Sequence, residues 1–174
     1  MLLVKRLSLE DASVLLDGAA KKAKGIAVPM CIAVVDEAGD LIAFRRMNGG
    51  KVTSIAIAID KAYTAGAARR PTHVYNELCR PGSGTFGIHI TNDGHFSIIG
   101  GGLPVVSEGV VVGGVGVSSG TPDQDIACAQ AGIDLLEASW TKATKKKPAT
   151  VRTKSPAPRR PISGAHRVQT RPPR

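Results

Sequence analysis

Residues 100–120 read GGGLPVVSEGVVVGGVGVSSG. Valine and glycine dominate, and their preferences oppose each other: β-branched valine favours strands, whereas glycine weakens a strand unless the missing side chain serves a purpose. The SEG at 107–109 turns the chain between two apolar runs, 103–107 and 110–118, which predicts a pair of hairpin-linked strands. Glycines inside the second strand let a ligand, another backbone or another sheet approach closely. They make room.

Two chemical motifs overlap this stretch. Gly114-x-Gly116 resembles the start of a dinucleotide fingerprint, but that motif follows the first strand of a βαβ unit, and here the third glycine arrives late, at Gly120. Gly116-Val117-Ser118-Ser119-Gly120 matches the pentapeptide of a serine nucleophile, yet the only histidine downstream is His166 in the C-terminal tail. The bare N–H groups of GSGT (82–85) and IIGGGLP (98–104) suit either tight turns or the cradling of a carboxylate or phosphate.

Working outward, SLEDASVLLDGAAKKAKG (8–25) carries Ser8 and Asp11 at capping-box spacing and predicts an amphipathic helix. MCIAVVDEAGDLIAFRRM (30–47) predicts a β-hairpin turned at Asp36–Asp40, with Gly39 supplying the positive φ. The continuous apolar run Cys31–Val35 marks a strand covered on both faces. VTSIAIAIDKAYTAGAA (52–68) is apolar almost all round, and its alanine-rich end favours helix over strand. A short helix and loop follow over 71–81, then a long loop. Three strands are expected near 95–99, 103–107 and 110–118, and a last helix from Asp123 with Ile126, Ala129, Ile133, Leu136 and Trp140 on one stripe. The expected fold is α+β, an antiparallel sheet of about five strands flanked by helices.

The net charge of +9 belongs to one end of the chain. Residues 142–174 contain eleven Lys or Arg, no acid and six of the eleven prolines, whereas residues 1–141 hold twelve basic against fourteen acidic residues. The basic, Pro-rich segment 142–174 is expected to be disordered, with nonspecific contact to nucleic acid or an anionic surface as its one plausible activity. Residues 1–141 form one domain. The apolar start is too short for a signal peptide, so a cytoplasmic protein is expected. Cys31, Cys79 and Cys128 lack any CxxC pairing and read as reduced thiols.

Few groups could do chemistry. His73, His89 and His95 show no metal-site spacing, although any one could bind haem iron axially. Lys61 lies in an almost wholly apolar helix and needs an acidic partner or ligand, with Asp36, Asp60 and Asp125 as candidates.

Taken together, IAVVDEAGDLIAFRRM, SIAIAIDKAYTAG and the opening stretch followed by Asp125 resemble, over about residues 7–140, the HbpS-like haem-binding family that includes GlcG and the C-terminal domain of PduO-type cobalamin adenosyltransferases. The resemblance implies a profilin-like sandwich assembling into dimers and often octamers. It places Asp36 and Gly39 in the hairpin, Arg46 after it, Lys61 on the helix, Gly101, Gly102 and Pro104 in the turn, and Ser118 and Asp125 near a pocket. One departure stands out: the family runs valine-serine-glycine where this chain has Val117-Ser118-Ser119-Gly120. Three functions are in contention. The first is binding of haem or another tetrapyrrole, with His73 or His95 as metal ligand. The second is chemistry on a small carboxylate held by Arg46, Lys61 and the Gly101 and Gly102 N–H groups, with Lys61 or Asp125 as acid–base. The third is the tail's contact with nucleic acid.

Overall fold

The computed structural model describes residue 1 and residues 3–146, with side chains as far as 142. Helix α1 spans Leu9–Gly25, strand β1 Cys31–Asp36, strand β2 Leu41–Arg46, helix α2 Ser54–Ala67 and helix α3 Val74–Leu78. Two short 3-10 turns, Ile88–Ile90 and Asn92–Gly94, lead to β3 (Gly102–Ser107), β4 (Val110–Ser118) and α4 (Pro122–Lys146). The four strands form one antiparallel sheet in the order β2-β1-β4-β3.

Local chemistry sets the start of α1 and both hairpin turns. The capping box forms as the spacing predicts, the Ser8 hydroxyl accepting the Asp11 N–H at 3.1 Å while the Asp11 carboxylate accepts the Ser8 N–H at 3.0 Å. In the first hairpin, Gly39 takes φ +97, and Asp36 Oδ1 accepts the N–H groups of Ala38 and Asp40. Glu108 and Gly109 both have positive φ, matching the turn that best suits the twist of paired strands. Pro104 costs the sheet no ladder bond toward another strand, because β3 is an edge.

Layers form on both faces. Helices α1 and α4 cover one side, burying Leu15, Ala19, Ile133 and Leu136 against Ile32, Val34, Val115 and Val117. A fully buried valine of this kind contributes about 1.5–3 kcal/mol. Helix α2 covers the other side, over Cys31, Ala33 and Val35.

The glycines of the opening stretch seat α2. A Cβ at Gly116 would lie 2.1 Å from the Ala58 carbonyl oxygen, and one at Gly114 2.5 Å from that of Ala62. One at Gly102 would come within 2.3 Å of the Lys61 carbonyl oxygen. The helix backbone therefore rests directly on the strand backbone, a separation that any side chain on this face of β4 would prevent.

The sheet has four strands, not about five. Residues 95–99 do not form a strand, although HFSII looks like one. The segment is tied down by side chains instead: the Ser97 N–H donates to Thr64 Oγ1 at 2.8 Å, and Thr72 Oγ1 donates to the Ile99 carbonyl at 2.6 Å. At the other end, α4 runs past the expected limit of 141 to Lys146, so the first residues of the basic segment are helical. The expected disorder of the remaining tail, with its nucleic-acid contact, lies outside the described residues.

Candidate functional site

Lys61 finds its partner in Asp125. The ammonium donates to Asp125 Oδ2 at 2.7 Å and to the Val117 carbonyl at 3.0 Å, with both side chains almost fully buried. Asp125 Oδ1 accepts the Gly120 N–H at 3.0 Å. Burial pushes the lysine pKa down and the carboxyl pKa up, while the contact between them opposes both shifts. The pair links α2 to the first turn of α4 across the end of β4.

The glycine turn packs onto this pair. A Cβ at Gly101, whose φ is +121, would meet Val117 O at 2.6 Å, Asp125 Cβ at 2.7 Å and Lys61 Nζ at 2.9 Å. The Gly102 N–H, expected to face a ligand, donates to Thr72 Oγ1 at 3.0 Å. Asp36 is likewise engaged in its own turn, with Arg6 3.4 Å from Oδ2. Ser118 is buried at the end of β4, paired with Cys31. The next residue, Ser119, has φ +126 and accepts the Lys51 N–H on its hydroxyl at 3.2 Å.

Arg46 shares no hydrogen bond or ion pair with Lys61 or Asp125. It is exposed at the end of β2, its Nε donating to the Gly50 carbonyl at 3.1 Å. It lines a cleft of about 630 Å³ with Lys24, Arg45 and the apolar Ala20, Ala23, Val28, Pro29 and Met47.

The histidines occupy separate places. His73 is exposed just before α3, and its ring has no hydrogen-bond partner among the described residues. His89 has a buried Nδ1 without a partner there. His95 differs: its Nδ1 lies 2.7 Å from Asp60 Oδ1, and the Tyr63 ring stands edge-on to it at 6.4 Å. The carboxylate holds the imidazole pKa above its ordinary value, chiefly through that hydrogen bond. This pair lines an open cleft of about 410 Å³ with Gly39, Asp40, Tyr63, Asn92 and Asp93.

Sequence reasoning considered Asp60 only as a partner for Lys61. The signal against that was available: neighbours on a helix project about 100° apart, so residues 60 and 61 face different surroundings. Tyr63 and Lys24 carried no signal of their own. Among the described residues, no group of three His, Cys, Asp or Glu is placed to hold a metal ion. No helix among them is long and apolar enough to cross a membrane.

The family model for the haem-degrading protein HbpS-like family matches residues 7–134. A 15.0 kDa protein from the dhaT-dhaS intergenic region of Citrobacter freundii is 38% identical over 76% of this chain and 94% of its own length. The corrinoid adenosyltransferase PduO of Salmonella typhimurium is 32% identical, but the match spans only 39% of that protein. Among solved structures, the Klebsiella pneumoniae protein ORFY superposes with a TM-score of 0.78 at 35% identity, covering 79% of this chain and 95% of that one. A haem complex of PduOC gives 0.72 at 31%, covering 75% and 94%. The sandwich, the glycine-seated helix and the extent of these matches agree, and the chain belongs to the HbpS-like family.

Proposed function

We propose that the protein binds haem or a related tetrapyrrole, with His95 as the iron ligand. The observation that carries this reading is the Asp60–His95 pair. A histidine that ligates a metal through one ring nitrogen usually donates its other N–H to a carboxylate, which fixes the tautomer and the ring orientation. His95 has that arrangement, with Nδ1 on Asp60 and the ring largely exposed. His73 lacks an orienting partner. The haem-bound PduOC structure supports the choice of ligand class.

His95 would hold the iron through its exposed ring nitrogen. The residues around it fit the propionates less well, because Asp40 and Asp93 line the same cleft. Bound haem would supply a redox-active iron and its Soret absorption. The chain's own contribution is to fix the tautomer and the aim of the imidazole, which Asp60 does by accepting a hydrogen bond from Nδ1–H. Self-association into dimers or octamers belongs to the same reading, as the family resemblance implies.

The test is a haem titration of the full chain, followed by absorbance. A saturable Soret shift that is lost in His95→Ala and kept in His73→Ala supports the assignment. A flat titration of the unaltered chain, or a shift kept in His95→Ala, overturns it.

A further inference from the structure

The cleft at Arg46 calls for a different ligand. Its floor is apolar, formed by Ala20 and Ala23 of α1, by Val28 and Pro29 of the following turn, and by Met47. Its charged lining residues are all cations: Lys24, Arg45 and Arg46. Arg45 is neutralised by Asp17 at 2.8 Å, but neither Lys24 nor Arg46 has an acidic partner among the described residues. Arg46 spends only its Nε on the Gly50 carbonyl. A volume of about 630 Å³ is within the usual range for small-molecule sites, where apolar walls supply area and a few polar groups fix orientation.

We propose that this cleft binds an amphipathic carboxylate, its apolar body on the alanine and methionine floor and its carboxylate between Lys24 and Arg46. Guanidinium suits the head group because its N–H fork matches the two oxygens of a carboxylate. The body is required as well, since an exposed ion pair alone adds little. The site keeps Arg46 as an anion-binding residue while separating it from Lys61. It does not rest on His95.

The test uses decanoate on the full chain, at fixed ionic strength, by calorimetry and by displacement of anilinonaphthalene sulfonate. Decan-1-ol and acetate supply the apolar body and the head group separately. Decanoate is expected to bind saturably and more tightly than either. Lys24→Gln with Arg46→Gln should weaken it by about tenfold or more, the loss expected for a hydrogen bond to a charged group. Lys21→Gln with Lys22→Gln, an equal charge change on the same helix outside the cleft, should leave it unaltered, as should His95→Ala. Equal binding of decanol, or decanoate binding that survives the double variant, overturns the proposal. So does a cleft that rejects all three probes while the double variant alters the sedimentation of the protein, since its occupant is then a second copy of the chain. Because His95→Ala is silent here and decisive in the haem titration, the two readings fail separately.

Discussion

Replacing Lys61 by methionine tests the buried pair most directly. The substitution keeps much of the volume and removes the ammonium, leaving an Asp125 side chain that is only 3% exposed with the Gly120 N–H as its remaining hydrogen-bond partner among the described residues. Breaking one side of a buried pair costs about 3–5 kcal/mol, a large share of the roughly 5–15 kcal/mol that holds a typical domain together. The loss should depend on pH. Without the lysine, burial raises the folded-state pKa of Asp125 above its unfolded value near 3.9. A raised pKa gives stability that is fully present below the unfolded value and is lost as pH rises through the folded one. The variant should therefore be weaker at pH 8 than at pH 5, and its deficit against the unaltered chain should grow over that interval. Urea unfolding reports this through far-UV circular dichroism and Trp140, whose indole N–H donates to Asp11 at 2.8 Å and ties α4 to α1. Adding Asp125→Leu should recover much of the loss, because two apolar side chains replace the pair. A single variant within about 1 kcal/mol of the parent at both pH values would refute the reasoning, since that is too small for a stranded buried carboxylate.

Gly116→Ala should destabilise by about 3 kcal/mol, the upper end for overpacking, because its Cβ meets helix backbone at 2.1 Å and backbone cannot rotate away; thermal unfolding checks this. Ser119→Gly should stabilise by about 1 kcal/mol in the same assay, since relief of strain at φ +126 outweighs one lost hydrogen bond to Lys51. Haem binding through His95 should weaken as pH falls through the raised imidazole pKa, because the proton competes with iron for the ring. Asp60→Asn should move that weakening to lower pH while reducing affinity, as read from Soret titrations across pH 5–8.

Much of this fold was legible because local chemistry and global packing agree. The Ser8 capping box, the turn at Gly39 and the two-sided burial of Cys31–Val35 are short-range signals that the structure repeats. The glycines announced a close approach, although only the fold shows that its object is α2. Residues 95–99 misled because alternating apolar residues describe a strand without naming its neighbour, and here Thr64 and Thr72 supply the bonds a ladder would have given. The site was legible in its parts and not in its grouping. Lys61 had to have an acid, but which one depended on α4 returning to the end of β4. Arg46 and Lys61 share a family pattern in sequence, yet their side chains serve different surroundings.

The backbone seat of α2 divides the helix into two evolutionary regimes. On the inner side, where Ala58, Ala62 and Gly66 meet the glycines of β4, nearly every enlargement is forbidden. On the outer side, Asp60 and Tyr63 face the open cleft, away from the glycines of β4. Substitutions at Asp60 can change what the cleft accepts without touching the backbone seat. A scaffold frozen on one side and free to drift on the other can acquire new ligands by point mutation alone.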